Sequence, residues 1–321
     1  MYLVRSAVIL ALMASQAVAE EPAGARRPRT DDELKFWLEN MLVWHRFETQ
    51  EVTLATGLTT EEIDAAINRL GISRKRPPRD KDAPLVVLPY PGGRHPRIGF
   101  LDGAVNPQRE TKVSIFAPWA DGGYAVADVP EAIWHETSAG RKLLYLAHTH
   151  VPTIWDEQKS KLEPLEWTKV EAKGKIAWQV ERTLPNKVVF GTSVAPHADH
   201  VEMHMWLTNG TPETLGGLVV QNCVMLKGLV GFDQQTNDNK LLQKPYVACH
   251  NSDKTRWIIT AWEPCQRPWA NAPCPCLHSD PKFPDCEPGK TVRIRGWLSF
   301  FEGKDIEAEL KRIDGIGWRT N

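Results

Sequence analysis

The stretch LYLAHTHVPTIWDEQ, residues 144–158, sets His148 and His150 one residue apart and follows them with Asp156. On a strand, positions two apart share a face. The two imidazoles would therefore stand together, with Leu144 and Leu146 further along the same face. Such a pair can chelate a metal if Glu202 or His204 on another strand supplies a third ligand. It can instead move a proton against a carboxylate such as Asp156, as a lyase, hydrolase or epimerase requires. The third option is that it only hydrogen-bonds and finishes the strand.

A second concentration is WEPCQRPWANAPCPCLHSDPKFPDCEPG, residues 262–289, with four of the six cysteines. The spacing C-x8-C-x-C-x9-C lacks the paired C-x2-C units of common zinc sites. Four prolines between 273 and 284 read as a stiff, irregular loop. In an oxidising compartment disulfides would brace it; metal binding is the competing reading. Its His278 and Asp280 join His148, His150 and Asp156 as candidate catalytic groups, and Glu263, Arg267 and Trp269 as candidate substrate contacts. Cys223 and Cys249 could pair or stay buried thiols. There is no G-x-S-x-G, and bridges explain the cysteines better than nucleophiles do.

The elements that must carry these groups are mostly strands. In HVEMHMWLT, from residue 200, Val201, Met203, Met205 and Leu207 oppose His200, Glu202, His204 and Trp206. In VRIRGWLSFF, from 292, Val292, Ile294, Leu298 and Phe300 oppose Arg293, Arg295, Trp297 and Ser299. Each strand has one apolar face and one face of His, Glu, Arg and Trp. Indole rings cover the C–H faces of a sugar while charged groups hold its hydroxyls, so this face suits a carbohydrate. Trp155 and Trp167, two of the 13 tryptophans, are added to the candidate contacts.

Ten or more short Val-, Ile-, Trp- and Tyr-rich runs after residue 85, punctuated by Gly, Pro, Asn and Asp, predict a mainly β fold. The expected architecture is an antiparallel β-sandwich of supersandwich or jelly-roll type over 85–321. HVEMHMWLT and LVVQNCVML, joined through NGTPETLGG, read as a hairpin turned at Asn209-Gly210. Asn209-Gly210-Thr211 is also a glycosylation sequon. KDIEAELKRI, from 304, reads as a helix capping one end of the sandwich.

Residues 31–73 read as a small helical module, with Leu34, Trp37, Leu38, Met41 and Leu42 on one face and a Thr59/Glu62 capping box. SRKRPPRDKDAP reads as a linker, assigned to 74–84. The pattern over residues 49–72 resembles a helix-turn-helix, but Glu61, Glu62 and Asp64 stand where phosphate contacts would want bases. Packing, or contact with an envelope protein, is the better expectation. With 39 basic and 40 acidic residues, the chain has no electrostatic case for nucleic acid.

The fold pattern resembles the galactose mutarotase type of supersandwich, which implies sugar binding or sugar chemistry. The His-x-His pair with a Glu and a later His resembles the cupin arrangement. That resemblance implies a metal-dependent enzyme with one transition metal such as zinc; otherwise no cofactor is expected. AHTHVPTIWD, QNCVMLKG and CPCLHSDPKFPDC together resemble a family of exported proteins, over most of residues 85–318, and imply an address rather than an activity.

That address is also written at the start of the chain. MYLVR is positively charged, SAVILALMAS is a short apolar core, and QAVA ends in small residues, which reads as a signal peptide over 1–19 cut near Ala19. A run of about ten apolar residues is too short to span a bilayer, which takes about 20. The expected location is secreted or periplasmic, with no membrane span.

Overall fold

The computed structural model describes residues 22, 24–96, 109–148, 151–172 and 174–320. Two antiparallel sheets form a sandwich, with strands numbered in chain order. The first sheet runs β1 (Val87–Pro89), β2 (Lys112–Phe116), β3 (Tyr124–Thr137), β9 (Leu218–Met225), β14 (Cys276–Pro281) and β13 (Cys265–Asn271), and β4 (Gly140–Leu146) also pairs with β3. The second runs β10 (Lys240–Gln243), β11 (Tyr246–His250), β12 (Arg256–Glu263), β15 (Thr291–Glu302), β8 (His200–Thr208), β7 (Val189–Pro196), β6 (Lys175–Thr183) and β5 (Thr168–Ala172).

Period-two alternation places the core. Val201, Met203, Met205 and Leu207 of β8 and Ile294 and Leu298 of β15 face Val113, Ile115, Ala127, Val220 and Leu277 of the other sheet, all fully or almost fully buried. Each such side chain contributes about 1.5–3 kcal/mol by leaving water.

The expected hairpin is not there. β8 belongs to the second sheet and β9 to the first, so residues 209–217 cross from one layer to the other. Asn209 anchors that crossing. Its amide nitrogen donates to the carbonyls of Glu213 (2.7 Å) and Cys286 (2.8 Å), and its Oδ1 accepts from the Thr211 amide (2.9 Å) and hydroxyl (2.7 Å). Gly210 is needed for close approach rather than for a reversal, since a Cβ there would lie 2.1 Å from the Lys187 carbonyl oxygen. The supposed irregular loop at 262–289 is likewise ordered, as the hairpin β13–β14. Pro273 and Pro275 sit at the turn and Pro281 at a strand end, while Pro268 lies inside β13, which tolerates it as an edge strand. The disulfide expectation also fails: none of the six cysteines is bridged, and all are buried.

The helices cover the outer faces. α1 (Asp31–Leu38) continues through a π-helical stretch, Glu39–Trp44, to α2 (Thr49–Thr56) and α3 (Thr60–Leu70). Thr59 and Glu62 close the capping box on α3, and Gly57 and Gly71 end α2 and α3 at φ 71° and 63°. Trp37, Leu38, Met41 and Ile63 pack over Tyr90, Phe116, Tyr124 and Met225 of the first sheet. α4 (Ile154–Glu157) is a single turn after β4. α5 (Ile306–Ile316) does not cap an end. It lies on the outer face of the second sheet, with Leu310 and Ile313 against Tyr246, Trp257, Ile259 and Trp297. Among the described residues no helix is long and apolar enough to cross a membrane.

Candidate functional site

The site grows from an irregularity in β3. Asp128 pairs with Cys223 of β9 and Ala132 with Gln221, so four steps along β3 match two along β9. The slack, Val129-Pro130-Glu131, lets two acids of one strand turn into the same buried region. Asp128 is fully buried and Glu131 nearly so.

Buried charge must be paired, and here it is. Lys112, directly across on β2, brings Nζ to 3.0 Å from Asp128 Oδ2, and Thr111 Oγ1 donates to Oδ1 at 2.7 Å. His148 Nε2 lies 3.1 Å from Glu131 Oε1 and 3.7 Å from Asp128 Oδ2. Gln221 donates to Glu131 Oε2 at 2.9 Å. On the far side, His278 Nδ1 stands 4.0 Å from that same Oε2 and 3.8 Å from Asp280 Oδ1. Asp280 Oδ2 in turn accepts from Trp269 Nε1 (2.6 Å) and Arg267 (2.8 Å). The Trp269 indole stacks on His278 at 3.9 Å. Glu131 thus lies between two imidazoles.

Burial alone would push the His278 pKa down. The neighbouring Cys223, Glu131 and Asp280 outweigh it and lift the ring to about 9. Burial raises the Asp280 carboxyl above its usual range despite His278 and Arg267.

The His148 end of this network opens on a cleft of about 560 Å³ beside β4 and α4, whose walls include Arg26, Glu110, Tyr145, His148, Asp156 and Arg182. Tyr145 Oη donates to Glu110 Oε2 at 3.1 Å and lies 3.2 Å from Thr111 Oγ1, which continues to Asp128. Arg182 also donates to Glu110, at 3.2 Å. Burial first, then Glu110 and Asp128, hold the Tyr145 phenol well above its ordinary pKa, so it stays protonated. Cations, a phenol and an imidazole backed by carboxylates therefore meet at one concave surface.

The other sequence candidates fall elsewhere. His150 lies outside the described residues. Asp156 is exposed at the cleft wall, but its Oδ2 accepts from the Thr153 amide (2.7 Å) and hydroxyl (2.8 Å), which caps α4. Trp155 and Trp167 are buried in the core, and Trp155 Nε1 donates to the Leu144 carbonyl at 2.7 Å.

The polar face of the second sheet exists, with Arg293 opposite Trp206, Arg295 opposite His204 and Trp297 opposite Glu202. Glu263 stands opposite Arg295 on the next strand. Its groups are largely spent on one another. The His204 hydrogen bond to Glu202 (2.8 Å) pulls that carboxyl down to about 2. Trp206 Nε1 donates to Glu181 (2.8 Å), with Arg293 over the ring. Trp297 is 1 % exposed, stacked on His200 at 3.9 Å and covered by α5. Glu202 and His204 are in the second sheet and His148 follows a strand of the first.

Among the described residues, the group whose donor atoms converge as a metal site requires is Cys223, Cys276 and His278. The residues that reading the sequence missed are Lys112, Asp128, Glu131, Tyr145 and Arg182. Two acids inside the otherwise apolar run VADVPEAI were the available signal.

No family model matches the chain, and no curated protein matches it. Among solved structures, the Slr1438 protein of Synechocystis sp. PCC 6803 is similar over 73 % of this chain and 100 % of its own, at 9 % identity and TM-score 0.36. The heparan sulfate lyase HepC of Pedobacter heparinus is similar over 59 % of this chain and 36 % of its own, at 7 % identity and TM-score 0.32. A HepC mutant gives 85 %, 46 %, 8 % and 0.37. The chain thus spans less than half of the lyase. The functional reading rests on this chain's own residues.

Proposed function

We propose that the protein binds a carbohydrate in the cleft beside β4 and α4 and transfers a proton to or from it through His148. The polar face of the second sheet, expected from the sequence to bind sugar, is half covered and internally paired, which favours the cleft as the seat. The observation that carries the reading is the position of His148: one ring nitrogen meets Glu131 and Asp128, and the residue itself lines the cavity. A buried carboxylate behind an imidazole orients the ring and stabilises its charged form when it takes a proton. Tyr145 supplies a hydroxyl donor. Arg26, paired with Glu166 at 2.8 Å, and Arg182, paired with Glu110 at 3.2 Å, would exchange these partners for the carboxylates or sulfates of an acidic sugar, which guanidinium groups bind in a fixed fork. The export expected from the pattern of residues 1–19 would place the substrate outside the cytoplasm.

The test is a binding screen against acidic and neutral polysaccharides, with assays for new reducing ends and for unsaturated products. The expected result is binding of an acidic glycan, with turnover that His148→Ala lowers at least 100-fold, in line with loss of a general acid or base. Binding without turnover would reduce the protein to a lectin-like role. Failure of both over the whole set would overturn the reading.

A further inference from the structure

We infer that Cys223, Cys274, Cys276 and His278 form a buried tetrahedral metal centre, for zinc or a similarly thiophilic divalent ion, that ties β9 to β14 beneath the N-terminal helices.

The strands dictate the convergence. Cys276 and His278 are two apart on β14 and therefore share a face. Cys276 pairs with Met225 of β9 and Leu277 with Val224, so the next step along both strands sets His278 beside Cys223. The sulfurs of Cys223 and Cys276 and a ring nitrogen of His278 all lie within 4.8 Å of one another. Cys274, at the turn into β14, lies beside Cys276 but outside the three donors that converge within 4.8 Å, and would close on the ion as the fourth ligand. Cys223, Cys274, Cys276 and His278 are 0–3 % exposed.

The distances suit a metal. Cys276 Sγ lies 3.3 Å from His278 Nε2. A tetrahedral centre with sulfur at about 2.3 Å and nitrogen at about 2.0–2.1 Å separates such donors by about 3.6 Å. Three sulfurs and one imidazole form a closed donor set of the kind that structural zinc takes. A disulfide would use two of the sulfurs and leave the third, with the imidazole, facing an empty purpose.

A second observation points the same way. His278 Nδ1, on the edge of the ring away from the sulfurs, is buried, makes no hydrogen bond, and stands 3.8 Å from Asp280 and 4.0 Å from Glu131. A proton on Nδ1 facing carboxylates leaves the Nε2 lone pair aimed at the sulfurs. Metal-bound histidines show this arrangement because the outer carboxylate fixes the tautomer and raises ligand basicity. Trp269, stacked on the ring and bonded to Asp280, holds both in place. Bracing that the sequence suggested for disulfides is thereby assigned to a metal.

The experiment is elemental analysis of the full chain purified without chelator, followed by cobalt exchange. The expected result is one zinc per chain. Cobalt should give the intense near-ultraviolet bands of thiolate-to-cobalt charge transfer and the visible bands of a tetrahedral site. Cys223→Ser and Cys276→Ser should each abolish the thiolate bands or lower them by about a third, while Cys249→Ser, at a buried thiol elsewhere, should leave them intact. Asp280→Asn should weaken metal binding about 10–100-fold. If the serine variants fail to fold, the wild-type cobalt spectrum decides alone. Reduced protein that takes up neither zinc nor cobalt would overturn the inference. So would a cobalt spectrum without thiolate bands, or an intact mass showing a disulfide among Cys223, Cys274 and Cys276.

Discussion

Lys112 and Asp128 face each other with 1 % and 0 % of their side chains exposed, so neither charge has water to fall back on. Removing one member strands the other, and Asp128→Asn should cost about 3–5 kcal/mol. The double change Lys112→Met with Asp128→Leu should recover much of that loss, which chemical denaturation of the three proteins would check. His45 is a second buried group with a cost. Its Nδ1 donates to the Asn40 carbonyl at 2.9 Å, and its Nε2 accepts from Ser114 Oγ at 2.7 Å. Burial, followed by Arg94 and Arg76, pushes the ring from 6.5 down to about 3. The folded protein keeps this ring neutral while the unfolded chain protonates it below 6.5. Its effect on stability is therefore nil above that value and grows unfavourable as pH falls toward 3, by about 1.4 kcal/mol per pH unit at most. His45→Gln should flatten the stability profile in that window, measured against wild type by thermal melting. His148 and His278 could be picked out of the sequence because they are histidines beside strands. Glu131, which lies between them, is marked in the sequence only as an acid in an apolar run, because its position depends on a slip of β3 against β9.

Elements were legible where a single physical rule governs them. β8 and β15 alternate because one face meets the core, and α3 begins at Thr59 because its side chain accepts from the Glu62 amide. Thr59→Ala should therefore lower stability by about 1 kcal/mol. What stayed hidden were relations between elements. Asn209-Gly210 carries the signature of a hairpin turn, yet the amide of Asn209 is spent on the Cys286 carbonyl of a distant segment, and the chain changes sheets there. β3 itself was missed as a strand, since Pro130 interrupts its pattern. α5 shows the same dependence on context, for its amphipathic pattern suits an end cap as well as a face. Leu310, 2 % exposed, sits over the second sheet. Leu310→Ala should cost about 2–5 kcal/mol and shift the fluorescence of Trp297 and Trp318 to longer wavelength as water reaches them.

At the scale of the molecule the chain visits the two sheets alternately: β1–β4, then β5–β8, then β9, then β10–β12, then β13–β14, and finally β15. Neither sheet is a contiguous piece of sequence. The proposed export can be checked by N-terminal sequencing after expression in a secreting host, where the mature chain should begin at Glu20. The order of strands also bears on when folding can occur. In the second sheet β15 lies between β12 and β8, and the halves on either side of it are joined through that strand. A polypeptide still emerging from the ribosome holds two unjoined half-sheets, each with a raw edge, until Thr291–Glu302 arrives. Closure of the second sheet thereby waits on that one strand. A chain whose synthesis stops at residue 290 cannot join the two halves of the second sheet.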